Sequence, residues 1–392
     1  MPNPYLPQEI LDSIVDLLRD NSNALKECCL VSKTWIPRTR KHLFAEITFN
    51  TERDLISWKK FPDPSTSPAH YTDTLHVGCL YAATPAGGWI RGFSRVVNLK
   101  LDASNLNPYA DDLETFLAPF HGISPTTKSL RVYFAVLPPS RVLNLILSLP
   151  FLEDLTLAGD LSNTDGPDWP STTIQPSNLP TLTGSLEFHP GVGIRSIAHR
   201  LLSLPGGIHP RNPTLTVCNE EDRLLVVALL EECSYTLESL DICYELICTS
   251  IWSPHPHQQL TWIELSFDRP LKVTRLKDVT FRITGSNDAE CVIMALRTIT
   301  PVHQALRQIS IHETYYSLYA GLGAEVKSLM GEQTASLWSE LDQLLVQLWK
   351  SHSIRPRMRY DASPVSKEAM RDLVWYYLPE ITRRGIVDLV KI

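Results

Sequence analysis

The chain has 392 residues, 43% of them hydrophobic and 20% charged, with a net charge of -7. That length can bury the cores of two or three domains, and the acidic balance excludes a general nucleic-acid binder, which needs a basic surface. The longest uninterrupted apolar run, seven residues at 224–230, is far too short to span a bilayer, so no membrane contact is expected. Eight cysteines without a disulfide-framework spacing, and an opening MPNPYLPQEI with neither a basic nor an apolar leader stretch, point to a reduced compartment, cytoplasm or nucleus.

In chain order, the first element is a helix opened by Leu6-Pro7, since a proline suits the first helical turn. Ile10, Ile14 and Leu18 recur at i, i+4 and i+8, with Leu11 and Val15 alongside, so a wide apolar stripe is expected to be buried. Polar residues 20–23 end this helix and offer a cap to a second, whose face is Leu25, Cys28 and Cys29, extended by Leu30 and Val31. Ser32-Lys33-Thr34-Trp35 follows, and Pro37 predicts that a third helix starts near it and runs to Phe44. Three helices in so short a stretch bury little apolar surface by themselves and need a partner or an adjoining domain.

The succession LPQEI, LVSKTW and LF over residues 5–50 resembles the F-box, in the form abundant in F-box-like proteins of mushroom-forming fungi. That resemblance implies docking on the Skp adaptor of a cullin-type ubiquitin ligase, with Leu6, Pro7, Ile10, Leu25, Val31 and Trp35 as adaptor contacts. Arg38, Arg40 and Lys41 are read as a solvated helix face rather than a nucleic-acid contact.

The body repeats a pattern of apolar, two residues, apolar, one residue, apolar. Its clearest copies begin at Val96, Leu152, Leu237, Leu260 and Leu306, with weaker ones around Leu130, Leu186, Leu215 and Val279. Expected strand cores at 99, 130, 155, 186, 215, 240, 263, 279 and 309 lie about 26 residues apart, the period of leucine-rich repeats. Helical patterns fall between many of them, at 111–120, 140–149, 194–204, 222–233 and 289–299. Of the eighteen residues just before and between the last two apolar positions, seventeen are polar, so each strand is expected to alternate a buried and an exposed side. The expected fold is therefore α/β: a three-helix F-box at 1–50, an irregular leucine-rich-repeat-like solenoid at 51–320 and a helical C-terminal cap at 321–392. An ordinary α/β sheet with one wet face is the plainer alternative.

Trp262 is the one aromatic on the expected polar face, either an interface anchor or, with the frame slipped locally, a core residue. Lys100 and Arg131 give way along the chain to Asp154, Glu187, Asp241, Glu264 and Asp278. An acidic groove favouring a basic partner segment is therefore expected, with Asp241 and Glu264 beside Trp262. The Pro/Ser/Thr-rich loop at 162–181 holds Trp169, a possible contact. Amphipathic helices after 321 are expected to cover an open end of the repeats, coiled-coil pairing being the sharper alternative.

No P-loop, GxGxxG, GxSxG or HExxH is present. Cys243, Cys248, His255 and His257 are ligand types without compact pairing, so no metal or cofactor is expected. The resemblance implies a non-catalytic substrate receptor of a Skp–cullin–F-box ligase, whose target is not legible. A scaffold with a vestigial F-box is the alternative.

Overall fold

The computed structural model describes residues 6–59, 67–78, 90, 92–103, 117–123, 125–134, 139–159, 179–189, 192–205, 207–218, 220–244, 275–283, 288–297, 299, 305–313, 332–360 and 367–391. The chain divides into two compact units, one of Met1–Thr181 with Gly191–Ile197 and one of Leu182–Pro190 with Ala198–Ile392. The described residues are α/β, with three N-terminal helices and twelve strands, each running parallel to the neighbours it pairs with.

In the first unit, helices α1 (Gln8–Leu17), α2 (Ser22–Val31) and α3 (Ile36–Leu43) lead into strand β1 (Glu46–Phe49) and helix α4 (Glu52–Lys59). Strands β2 (Thr74–Val77), β3 (Asn98–Ala103), β4 (Ser129–Phe134) and β5 (Asp154–Gly159) follow, with helix α5 (Pro139–Leu147) before β5. Strand order equals chain order. The register stacks Leu75, Leu99, Leu130 and Leu155 into one ladder and Val77, Leu101, Val132 and Leu157 into a second. All eight are buried, and α5 adds Val142, Leu143, Leu145 and Ile146 to the apolar interior. Period-two alternation thus becomes a core of aligned apolar rungs. The expected helix at 111–120 lies largely outside the described residues, and a 3-10 turn covers Ala118–Gly122.

In the second unit come β6 (Ser185–Phe188), helix α6 (Val192–Leu202, its first turns belonging to the first unit), β7 (Asn212–Val217), α7 (Glu220–Cys233) and β8 (Ser239–Tyr244). Then follow β9 (Asp278–Ile283), α8 (Asp288–Arg297) and β10 (Gln308–Glu313). One ladder runs through Phe188, Leu215, Ile242, Phe281, Ile311 and Met358. Leu215 therefore pairs with Ile242, not with Leu240 as the repeat frame implies. Pro213, buried opposite Leu186, takes the rung assigned to Leu215. The slip is by two residues, so every side chain keeps its face.

The copy expected at 260–265 lies outside the described residues. β8 and β9 are direct neighbours, with Leu240 opposite Val279.

The C-terminal part is not the purely helical cap expected. It holds α9 (Glu332–His352), α10 (Lys367–Tyr377) and α11 (Pro379–Arg383), but also β11 (Arg355–Tyr360) and β12 (Asp388–Lys391), which continue the parallel series beyond β10. β11 escapes the repeat pattern because its first rung is Pro356, opposite Ile309, and its alternate residues are arginines. The carboxylate of Asp342 on α9, 2% exposed, accepts from the Glu380 and Ile381 backbone N–H at 2.7 and 2.9 Å and so caps α11. Burial pushes the Asp342 carboxyl up, and those two donors oppose the shift. At the other end of α11, Gly385 adopts φ +63° while Ile386 N–H bonds the Ile381 carbonyl, which turns the chain into β12.

Candidate functional site

Two surfaces come from the residues singled out above. The first is the helical module. Pro7 occupies the N-cap position of α1 without a side-chain cap, and Asn21 caps α2 by accepting from the Ala24 N–H at 3.0 Å. α1 and α3 are clamped through Asp16, which accepts from Arg38 Nε at 2.6 Å, Arg38 Nη2 at 2.5 Å and His42 Nε2 at 2.7 Å. The Arg38 guanidinium, then His42, holds the Asp16 carboxyl far below the usual carboxylate range. An ionised carboxylate only accepts, so His42 donates from Nε2.

With its folded pKa depressed, Asp16 contributes stability above its ordinary value of 3.8, and the contribution is lost as pH falls through the folded value. Asp16→Asn is expected to lower the urea midpoint at pH 6, and the gap from the unmodified protein should shrink as the pH is taken below about 4. A gap that stays constant down to pH 2 would contradict the clamp.

The core of this module is small: Val15 from α1, Leu25 and Cys28 from α2, and Thr39 from α3. Of the α1 stripe expected inside, Val15 is buried and Leu11 and Leu18 are half-buried, whereas Ile10 and Ile14 face outward. Leu6 is 55% exposed, Ile10 and Ile14 are exposed as well, and Leu17 reaches 86%. Leu30 and Val31 at the end of α2 are 82% and 67% exposed. Gln8 Nε2 donates to the Thr34 carbonyl at 3.4 Å, which brings the start of α1 beside the turn that follows Val31.

Among the six residues expected to meet an adaptor, Leu6, Pro7, Ile10 and Val31 are exposed and Trp35 is half-buried. Leu25 is 1% exposed, so it belongs to the core and offers nothing to a partner. Ile14, Leu17 and Leu30 are exposed as well, and Ile10, Ile14 and Leu17 at i, i+4 and i+7 share one stripe of α1. Cys29 lies half-buried, and burial raises its thiol above the ordinary range.

The second surface is the polar side of the sheet, considered in the second unit. Glu187, Thr214, Asp241, Thr280, Ser310 and Arg357 follow one another across neighbouring strands. This side is not uniformly wet: Thr280, Ser310 and His312 are buried. Asp241, expected at the centre of an acidic groove, accepts from Arg282 Nε at 3.0 Å and Nη2 at 2.7 Å. Its charge is thereby matched within the chain, and the hydrogen bond to Asp241 raises the Arg282 guanidinium above its ordinary value. Glu187 similarly lies 3.0 Å from His189. Trp262 and Glu264 fall outside the described residues. In the first unit, Lys100 Nζ stands 3.6 Å from Glu46 and Arg131 is exposed.

The chain matches no protein-family model and no curated protein. Among the described residues no group of three or more His, Cys, Asp and Glu is placed to hold a metal ion, and of the four ligand types noted near 250 only Cys243 is described. Burial pushes the Cys233 thiol up to about 12, which leaves it unreactive at neutral pH. No helix among the described residues is long and apolar enough to cross a membrane.

Proposed function

We propose that this protein is a substrate-recognition subunit of a Skp–cullin–F-box ubiquitin ligase, in which the N-terminal helices dock on the Skp adaptor and the strand–helix body presents a target. The observation that carries the reading is the outward display of Leu6, Ile10, Leu30 and Val31, at the positions of the F-box-like LPQEI and LVSKTW motifs. A module that exposes Leu6, Ile10, Leu17, Leu30 and Val31 while burying only four described residues in its helices supports completion by a partner. Parallel strands in chain order, separated by helices at repeat-like spacing, support a leucine-rich-repeat-like solenoid as the target-holding part. In that role the protein contributes proximity, holding a target lysine near a charged conjugating enzyme, and performs no bond chemistry itself.

Co-expression with a Skp adaptor and capture on the tagged adaptor tests the reading. The unmodified chain is expected to co-purify, and the double variant Leu6→Ala, Pro7→Ala to be lost from the captured fraction. A well-folded chain that never co-purifies would leave an interaction scaffold without a ligase.

A further inference from the structure

We infer that the polar side of β11 is a docking site for an acidic, extended segment of a partner protein. Arg355, Arg357 and Arg359 occupy alternate positions of this strand, while Pro356 and Met358 between them are buried in the sheet core. The three arginines therefore share one face, about 6.6–6.8 Å apart along the strand. Arg355 is exposed and the other two are half-buried.

Three like charges so close call for compensation, and among the described residues none of the three has an ion pair or a side-chain hydrogen bond. Asp388 stands opposite Arg357 in the register and forms no ion pair with it. The Nε of Arg357 is shielded from solvent and lacks any acceptor. Leaving a buried guanidinium donor unsatisfied is costly, and an incoming carboxylate removes that cost.

The neighbouring strand shows what such a carboxylate would find. Ser310 and His312, in register with Arg357 and Arg359, are buried at the foot of the row. One strand further, Arg282 already holds the Asp241 carboxylate with Nε and Nη2. That internal pair is the fork geometry which the β11 arginines leave open. An extended peptide carries alternate side chains at the same spacing as these arginines, so acidic residues at every second position match the row. The partner chemistry is thus opposite to the basic segment expected from the order of charges in the sequence. The inference deepens the proposed target-holding role but does not require the adaptor.

The test uses the full chain and a fluorescent peptide of alternating Asp and Ser, with a Lys/Ser peptide of equal length as control, read by anisotropy at low and at physiological salt. The Asp peptide is expected to bind, more weakly as salt rises, and the Lys peptide not to bind. Arg355→Gln, at an exposed position that leaves the core untouched, and Arg357→Gln should each weaken binding by ~10-fold or more. Arg357→Lys, which keeps the charge but loses the fork, should fall between. Arg131→Gln, an equal loss of charge elsewhere, should change nothing. Failure of the unmodified chain to bind the Asp peptide, preference for the Lys peptide, or an equal loss in Arg131→Gln would each overturn the inference. Adaptor capture by the same preparation is read separately, so a failed peptide experiment with intact capture rejects this site alone.

Discussion

The double variant Leu30→Lys, Val31→Lys is expected to lose adaptor binding by ~100-fold or more while remaining folded. Both side chains stand largely in solvent, at 82% and 67% exposure, so their replacement removes almost no packing from the free protein. They also end α2, and cations in the last turn of a helix are favoured by its dipole. Local stability should therefore hold or rise slightly. In a complex the two aliphatic groups would each bury for about 1.5–3 kcal/mol, and two ammonium groups in their place would have to be desolvated. Titration of the purified adaptor by calorimetry, beside thermal melts of both proteins, reads the two effects apart. Unchanged affinity in the lysine variant would remove the end of α2 from the adaptor surface, whatever the Leu6, Pro7 result.

Leu130→Ala is expected to destabilise the first unit by about 2–5 kcal/mol, with Arg131→Ala next to it within about 0.5 kcal/mol of the unmodified protein. Leu130 is fully buried on the rung between Leu99 and Leu155, and parallel strands covered by helices such as α5 leave little freedom to collapse into a cavity. Arg131 is exposed on the opposite side of the same strand. Urea unfolding of the two variants compares adjacent residues of opposite orientation. Similar losses at both would mean that the strand does not alternate as described.

The apolar rungs were legible because a buried side chain must be apolar and strand neighbours face opposite ways, so composition at every second residue reports orientation directly. Eight of the nine strand cores expected between 99 and 309 fall on strands, and the ninth lies outside the described residues. Helices α5 to α8 fall where their apolar spacing put them. β11 was missed because Pro356 and three arginines do not read as a strand, although Met358 and the buried Pro356 fill its inner face. The α1 stripe divides, Val15 inside and Ile10 and Ile14 outside, for a complementary reason: an amphipathic helix shows which residues share a face, not which side that face meets.

The sequence by itself determined the α/β class, the chain-order succession of strands and helices, the alternation that separates core from polar side, and an aliphatic N-terminal module short of core. Each is a local property, carried by residues within one element or one repeat. Only the tertiary structure decided that Leu215 pairs with Ile242, that β8 lies directly against β9, that Arg282 neutralises Asp241, and that Leu25 is enclosed while Leu30 and Val31 are not. Those outcomes depend on which strand becomes the neighbour and which helix closes over which face. Such pairings join residues far apart in the chain, and no local spacing records them.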